Sequence, residues 1–221
     1  MALFDIHLHT RNYSDCSFIN PEELVRRAVE VGLNGIALTE HGMRWPDDKF
    51  DTLRRLADPH GLILINGQEI YTASDEHETE GEFLVFGLKK SIVRMFPAKE
   101  LVDRVHGEGG ILIAAHPYKL SRNGRFKYYG AGDRIYELDI DAVEFAHPDH
   151  KDHAIKKIRH AMEKLGLPGT GGSDAHKIFS VGSFVTVFRQ DVFNEIDFIE
   201  QIRSKAVRGE KGPVRNVDPT V

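Results

Sequence analysis

The stretch Asp5-Ile6-His7-Leu8-His9-Thr10 constrains this chain most, because it alternates at the period of a β-strand. Asp5, His7 and His9 share one face, and Ile6 and Leu8 take the other. Imidazoles at i and i+2 of a strand stand close enough to hold one metal ion, whereas a helix would need them three or four apart. A lone His-x-His is more often a pair of structural histidines. What decides between the two is whether the same chemistry recurs at other strand ends.

The chain goes on as strand and helix in turn. Residues 4–9 read as the first strand, and Asn20-Pro21-Glu22-Glu23 opens a helix with a cap, a first-turn proline and acids at its positive end. Leu24, Val25, Ala28 and Val29 give that helix its apolar face, and Gly32 stops it. Strands follow at residues 35–39, 62–70, 111–115, 142–145, 167–171 and 183–188, with an extra strand at 82–88 paired with its predecessor. Helices fall at 50–57, 98–108, 150–165 and 195–205. This alternation implies a parallel sheet closed into a β/α barrel of about seven strands. Residues 1–221 read as one domain, with 209–221 a loose or docked tail.

Polar residues gather at the ends of these strands. His7 and His9 end the first, His41 follows the second in Thr39-Glu40-His41, and Glu69 ends the third in Gly67-Gln68-Glu69. His116 ends the fourth in Ala115-His116-Pro117, and Asp174 and His176 follow the sixth in Gly172-Ser173-Asp174-Ala175-His176. Asp15 lies on the loop after the first strand. A parallel barrel brings such ends to one rim, where active sites are built. The donors are imidazole and carboxylate without thiolate, which disfavours a purely structural zinc site.

At 41% hydrophobic, the 221 residues can bury one sizeable core. A net charge of −5 gives no general attraction to nucleic acid or anionic membrane. Cys16 is the only cysteine, which excludes an internal disulfide and fits a reducing compartment. No leader and no apolar run of membrane-spanning length are evident, so the expectation is a soluble cytoplasmic protein without a membrane or an obligate protein partner.

In order along the chain, Asp-x-His-x-His-Thr, Ser-Asp, Thr-Glu-His, Gly-x-Glu, Ala-His-Pro and Gly-Ser-Asp-Ala-His resemble the PHP (polymerase and histidinol phosphatase) domain over residues 3–190. The resemblance implies a distorted seven-stranded β/α (TIM-like) barrel carrying two or three divalent ions (Zn, Mn, Fe or Mg) and hydrolysing phosphate esters. It implies His7, His9, Glu69 and Asp174 as ligands of one ion, and Asp15, His41 and His176 as ligands of a second. Glu69, bridging, and His116 would hold a third. There the chain departs from the family: Glu82 stands where a histidine is usual, with His77 as a substitute, and Glu40 replaces the usual aspartate before His41. Asp174, His176 and His147 are then the candidate catalytic residues, His147 because it ends the fifth strand.

Two ions that lower the pKa of a bridging water would make it the nucleophile. The loop at 118–129 after His116 supplies Lys119, Arg122 and Arg125 as candidate phosphate-binding residues, with Arg44 and Lys177 just past ligand histidines. The expected substrate is a small phosphorylated molecule, a nucleotide or metabolite, or a short oligonucleotide. Two other readings are an amidohydrolase-like hydrolase, which typically uses a bridging lysine, and a non-catalytic metal-bound module. His150, His153 and His160 read as a solvated helix face.

Overall fold

Helix formation follows the sequence signals closely. In the computed structural model, which describes residues 1–77, 79–121 and 127–214, the side chain of Asn20 accepts from the amides of Glu22 (2.8 Å) and Glu23 (3.3 Å). These bonds start α1 (Pro21–Glu30), which buries Leu24, Val25 and Ala28. The remaining helices are α2 (Asp47–Ala57), α3 (Ala98–Gly107), α4 (Asp152–Leu165) and α5 (Glu195–Arg203). None of the helices among the described residues is long and apolar enough to cross a membrane.

Ten strands occur among the described residues rather than seven. They are β1 (Ala2–Leu8), β2 (Gly35–Leu38), β3 (Ile63–Asn66), β4 (Gln68–Thr72), β5 (Gly81–Phe86), β6 (Ile111–Ala114), β7 (Ala142–Ala146), β8 (Gly169–Gly171), β9 (Phe184–Phe188) and β10 (Val207–Lys211). They form two five-stranded sheets, ordered β10-β9-β1-β2-β3 and β4-β5-β6-β7-β8. The expected closed seven-stranded barrel is therefore corrected to a mixed α/β fold of two sheets.

Two local causes explain the difference. The expected strand at 62–70 breaks at Gly67, where a β-carbon would stand 2.4 Å from the Phe86 ring. After that break β4 pairs antiparallel with β5, and β5 antiparallel with β6, so the parallel order is interrupted. At the other end β9 and β10 are also antiparallel to their neighbours. The expected tail at 209–221 begins as part of β10, and Gly209 lies so close to β8 that a β-carbon would meet the Thr170 carbonyl oxygen at 2.1 Å. Only a residue without a side chain fits such an approach.

The sheets meet through a shared apolar layer. Phe4, Ile6, Leu84, Phe86, Ile113, Phe188 and Phe198 are fully buried there, and Phe4–Phe188 and Phe86–Phe198 pack edge-on at 5.1 and 4.9 Å. Each such ring contributes about 1.5–3 kcal/mol by leaving water. With Ile6 committed to this layer, the alternation of β1 turns His7 to the opposite face.

Candidate metal centre

The centre of the site is the carboxylate of Glu69. Four imidazole nitrogens surround it: His7 Nε2 and His116 Nε2 lie 3.3 and 3.2 Å from Oε1, and His9 Nε2 and His41 Nδ1 lie 3.3 and 3.2 Å from Oε2. Asp174 Oδ1 faces the same nitrogens of His7 (3.5 Å) and His9 (3.3 Å). Yet both Glu69 oxygens and the Nε2 atoms of His7 and His9 are buried without a hydrogen-bond partner. Buried polar atoms left this way are costly, about 1–3 kcal/mol each. Lone pairs that converge on a common space without bonding one another fit a cation there, so these donors pass as metal ligands.

The surrounding groups set each imidazole's tautomer. Glu144 Oε1 lies 3.0 Å from His7 Nδ1, and Glu144 Oε2 accepts the His116 amide at 2.8 Å. His7 Nδ1 therefore carries the proton and its Nε2 lone pair faces Glu69. A second relay runs through Ser14, whose hydroxyl donates to Glu40 Oε2 (2.6 Å) and so accepts from His9 Nδ1 (3.3 Å). Glu40 also accepts from Thr10 and from Trp45 Nε1. His176 Nδ1 donates to the Asp174 carbonyl at 2.8 Å, leaving Nε2 toward the cavity. Such supporting partners orient metal-binding imidazoles.

The electrostatics call for positive charge. Burial alone would discharge His7, but Glu144, Glu69 and Asp174 outweigh it and hold its imidazole well above the usual range. His9 is likewise raised to about 9 against its burial, by Asp174 and Glu69. Burial opposes ionisation of Glu69 and Asp174, yet the histidines keep both carboxyls well below the ordinary value. Burial and the nearby Glu69 push Glu82 up to about 8. Protons held this way are those a divalent cation displaces.

His116 and Asp174 have φ of 27° and 50°, a left-handed backbone rare outside glycine. Strain of about 1–3 kcal/mol at such positions tends to concentrate at functional sites. Above them lies a cavity of about 700 Å³ whose walls include Cys16, His41, Glu82, Lys119, His176 and Lys177.

Most of the sequence-derived residues meet here. His7, His9 and Glu69 form one group of donors within 4.8 Å of each other, His9, His41 and His176 a second, and Glu69, Glu82 and His116 a third. His147 Nε2 lies 3.3 Å from Asp174 Oδ2, and Lys119 Nζ lies 2.8 Å from the same oxygen. Asp15 is placed otherwise: it is exposed and joins none of these groups. The turn closed by Ser14 N to Thr10 O (3.0 Å) points Ser14 inward, and Cys16 Sγ comes 3.1 Å from His176 Nε2. Arg44 binds Asp47 and the Lys89 carbonyl and lines a separate cavity with Phe50 and Arg54. His77 is exposed and outside the donor groups. Arg122 and Arg125 lie outside the described residues. Glu144 is the residue that sequence reading missed; its one signal is a lone carboxylate inside the apolar strand Ala-Val-Glu-Phe-Ala.

The sequence matches the PHP domain family over residues 5–129, more than half of the chain, and the PHP-associated family over residues 152–207. An uncharacterized protein of Methanocaldococcus jannaschii is 28% identical over 171 residues, covering 73% of this chain and 90% of its own length. Among solved structures, a candidate metal-dependent phosphoesterase from Bifidobacterium adolescentis superposes with a TM-score of 0.65 at 19% identity, over 79% of this chain and 87% of that one. Endonuclease Q, bound to a 27-mer duplex with an abasic lesion at its active site, superposes with a TM-score of 0.53 at 16% identity, over 89% of this chain and 55% of that one. Those two likenesses are of fold. With its motifs in order and its donors converged on Glu69, the chain belongs to the PHP domain family.

Proposed function

We propose that this chain is a metal-dependent hydrolase of phosphate esters. The observation that carries the reading is the Glu69 carboxylate among four imidazole nitrogens at 3.2–3.3 Å. His7, Glu69 and Asp174 would hold one ion, His9, whose Nε2 has one lone pair to give, would join His41 and His176 on a second, and Glu69, Glu82 and His116 would hold a third. Mixed nitrogen and oxygen donors suit Zn, Mn, Fe or Mg. When bound, such ions polarise phosphoryl oxygens and lower the pKa of water.

The chain's own residues supply the rest. Lys119, already beside Asp174 in the cavity wall, is the cation placed to bind a phosphate oxygen. His147 touches Asp174 from the buried side, where it would orient that carboxylate, and it is our candidate to pass a proton to a leaving oxygen. Lys177 stands at the cavity edge, where it suits substrate binding. An open cavity of about 700 Å³ is roomy enough for a phosphorylated nucleotide, a metabolite or an oligonucleotide end. One of the two solved relatives is described as a metal-dependent phosphoesterase and the other holds a DNA duplex substrate, which is in keeping with this reading. A carboxylate rather than a lysine between the imidazoles favours it over an amidohydrolase.

The test is hydrolysis by chelator-stripped protein reloaded with Mn, Zn or Mg, using an aryl phosphate monoester, a diester, an amide and a short oligonucleotide. Metal-dependent release from a phosphate ester is expected. Turnover of the amide alone, or of none of the four, would overturn the proposal.

A further inference from the structure

The donors on the two sides of Glu69 differ in hardness. On one side His9, His41 and His176 present three imidazole nitrogens within 4.8 Å of one another. On the other, Glu69, Glu82 and His116 present two carboxylates and one imidazole within the same limit. His116 Nε2 lies 3.2 Å from Glu69 Oε1 and 3.6 Å from Glu82 Oε2. Donors bound to one ion at about 2.1 Å stand about 3–3.5 Å apart, so the His116–Glu69 contact already has that spacing and the His116–Glu82 contact is slightly wider.

A second observation points into the same space: Glu69 Oε1, the oxygen that faces His116, is buried without a hydrogen-bond partner. Strand direction explains how Glu82 gets there. Because β5 runs antiparallel to β4 and β6, its first residues lie at the end where β6 finishes, and the Glu82 carbonyl accepts the Ala115 amide at 3.0 Å.

Imidazole nitrogen suits zinc, while carboxylate oxygen suits manganese and magnesium. Zinc outbinds manganese at almost any site, but its margin narrows as nitrogens give way to oxygens, and supply then decides which ion is held. We propose that the Glu69–Glu82–His116 position takes a harder ion, Mn²⁺ or Mg²⁺, while the His9–His41–His176 position takes Zn²⁺, so that the centre is heterometallic. The inference rests on the metal-dependent reading above and adds which ion each position selects. Glu82 is the selecting residue, because a nitrogen in its place would give this position a zinc-favouring majority of imidazoles.

Chelator-stripped protein is dialysed against about a hundredfold excess of Mn²⁺ over Zn²⁺, a ratio chosen to offset zinc's general advantage. Anomalous diffraction at the two metal edges then identifies the ion at each position, and mass spectrometry gives total content. Zinc at the three-imidazole position and manganese beside Glu82 are expected. In Glu82→His the zinc occupancy beside His116 should rise about tenfold. Glu82→Gln, which keeps the side chain's shape, should lose that ion and retain the zinc. The same ion at both positions of the wild type, or an unchanged ion beside His116 in Glu82→His, would overturn the inference and leave metal dependence intact. Failure to take up any metal would defeat both.

Discussion

Glu144 Oε1 stands 3.0 Å from His7 Nδ1, and both side chains are fully buried. The contact decides which nitrogen of His7 is left to face Glu69. Burial opposes the Glu144 charge, but His7 and His147 hold its carboxyl down at about 2. It is thus an acceptor throughout the range in which a hydrolase works, and it also fixes the His116 backbone through Oε2.

Replacing Glu144 by glutamine should therefore weaken metal binding without touching a metal donor of the proposed sets. A glutamine carbonyl can accept from His7 Nδ1 or from the His116 amide but not from both, so one of the two meets a donor where it needs an acceptor, and His7 is no longer held to one tautomer. The metal dissociation constant should rise about 10- to 100-fold. Chelator competition measures it, and nitrogen-15 shifts of His7 report the tautomer. Wild-type affinity in Glu144→Gln would remove Glu144 from the centre.

His9 carries a heavier load. It faces Glu69 and Asp174, each at 3.3 Å, and its ring lies 4.3 Å from His41 and 4.6 Å from His176. His9→Ala should lose at least one bound ion and lower turnover about 100-fold or more, since charge in the transition state loses a partner. Circular dichroism should stay unchanged, because the apolar packing of β1 rests on Phe4 and Ile6. Wild-type metal content and turnover would rule the assignment out.

Much of this centre is readable from the sequence because His7 lies near the end of β1 and His116 just beyond β6; Glu69, expected to end a strand, instead lies second in β4. What was not readable came from chain direction and from backbone contact. An apolar run such as 82–88 looks the same in either direction, so nothing local announced that β5 is antiparallel. Gly67 marked the break between β3 and β4 only through its approach to Phe86, a contact far away in sequence. Asp15 resembled a ligand by motif, yet the turn through Thr10 and Ser14 directs it to solvent. Glu144 was hidden for the opposite reason: its partners come from β1 and from the end of β6.

Cys16 lines the cavity and is the one thiol that could form a covalent intermediate, and its surroundings argue against it. Burial raises its thiol, and the nearby carboxylates of Asp174, Glu69 and Glu40 raise it further. A thiol held protonated is a poor nucleophile. Water should therefore attack the ester directly. Single-turnover hydrolysis in oxygen-18 water should label the released phosphate, and Cys16→Ala should keep activity within about twofold. Unlabelled phosphate, or an inactive Cys16→Ala with its metals in place, would defeat direct attack.

His150 reads from sequence as part of a solvated helix face, but it precedes α4 and is only 8% exposed. Its Nδ1 donates to the Phe145 carbonyl at 2.9 Å, and its Nε2 is buried without a partner. A second proton would have no acceptor there. Burial, with His147 adding to it, lowers the imidazole from 6.5 to about 4. As pH falls below the unfolded value, the unfolded chain binds the proton first. Stability present above that value is thus lost progressively on the way down to the folded value. Between pH 7 and pH 5 this one group should remove about 2 kcal/mol. His150→Gln keeps a donor for Phe145 and carries no titration. Denaturant unfolding of the metal-free proteins should therefore show the wild type losing about 2 kcal/mol more than the variant over that interval. Parallel curves for the two would mean that His150 does not carry the acid sensitivity.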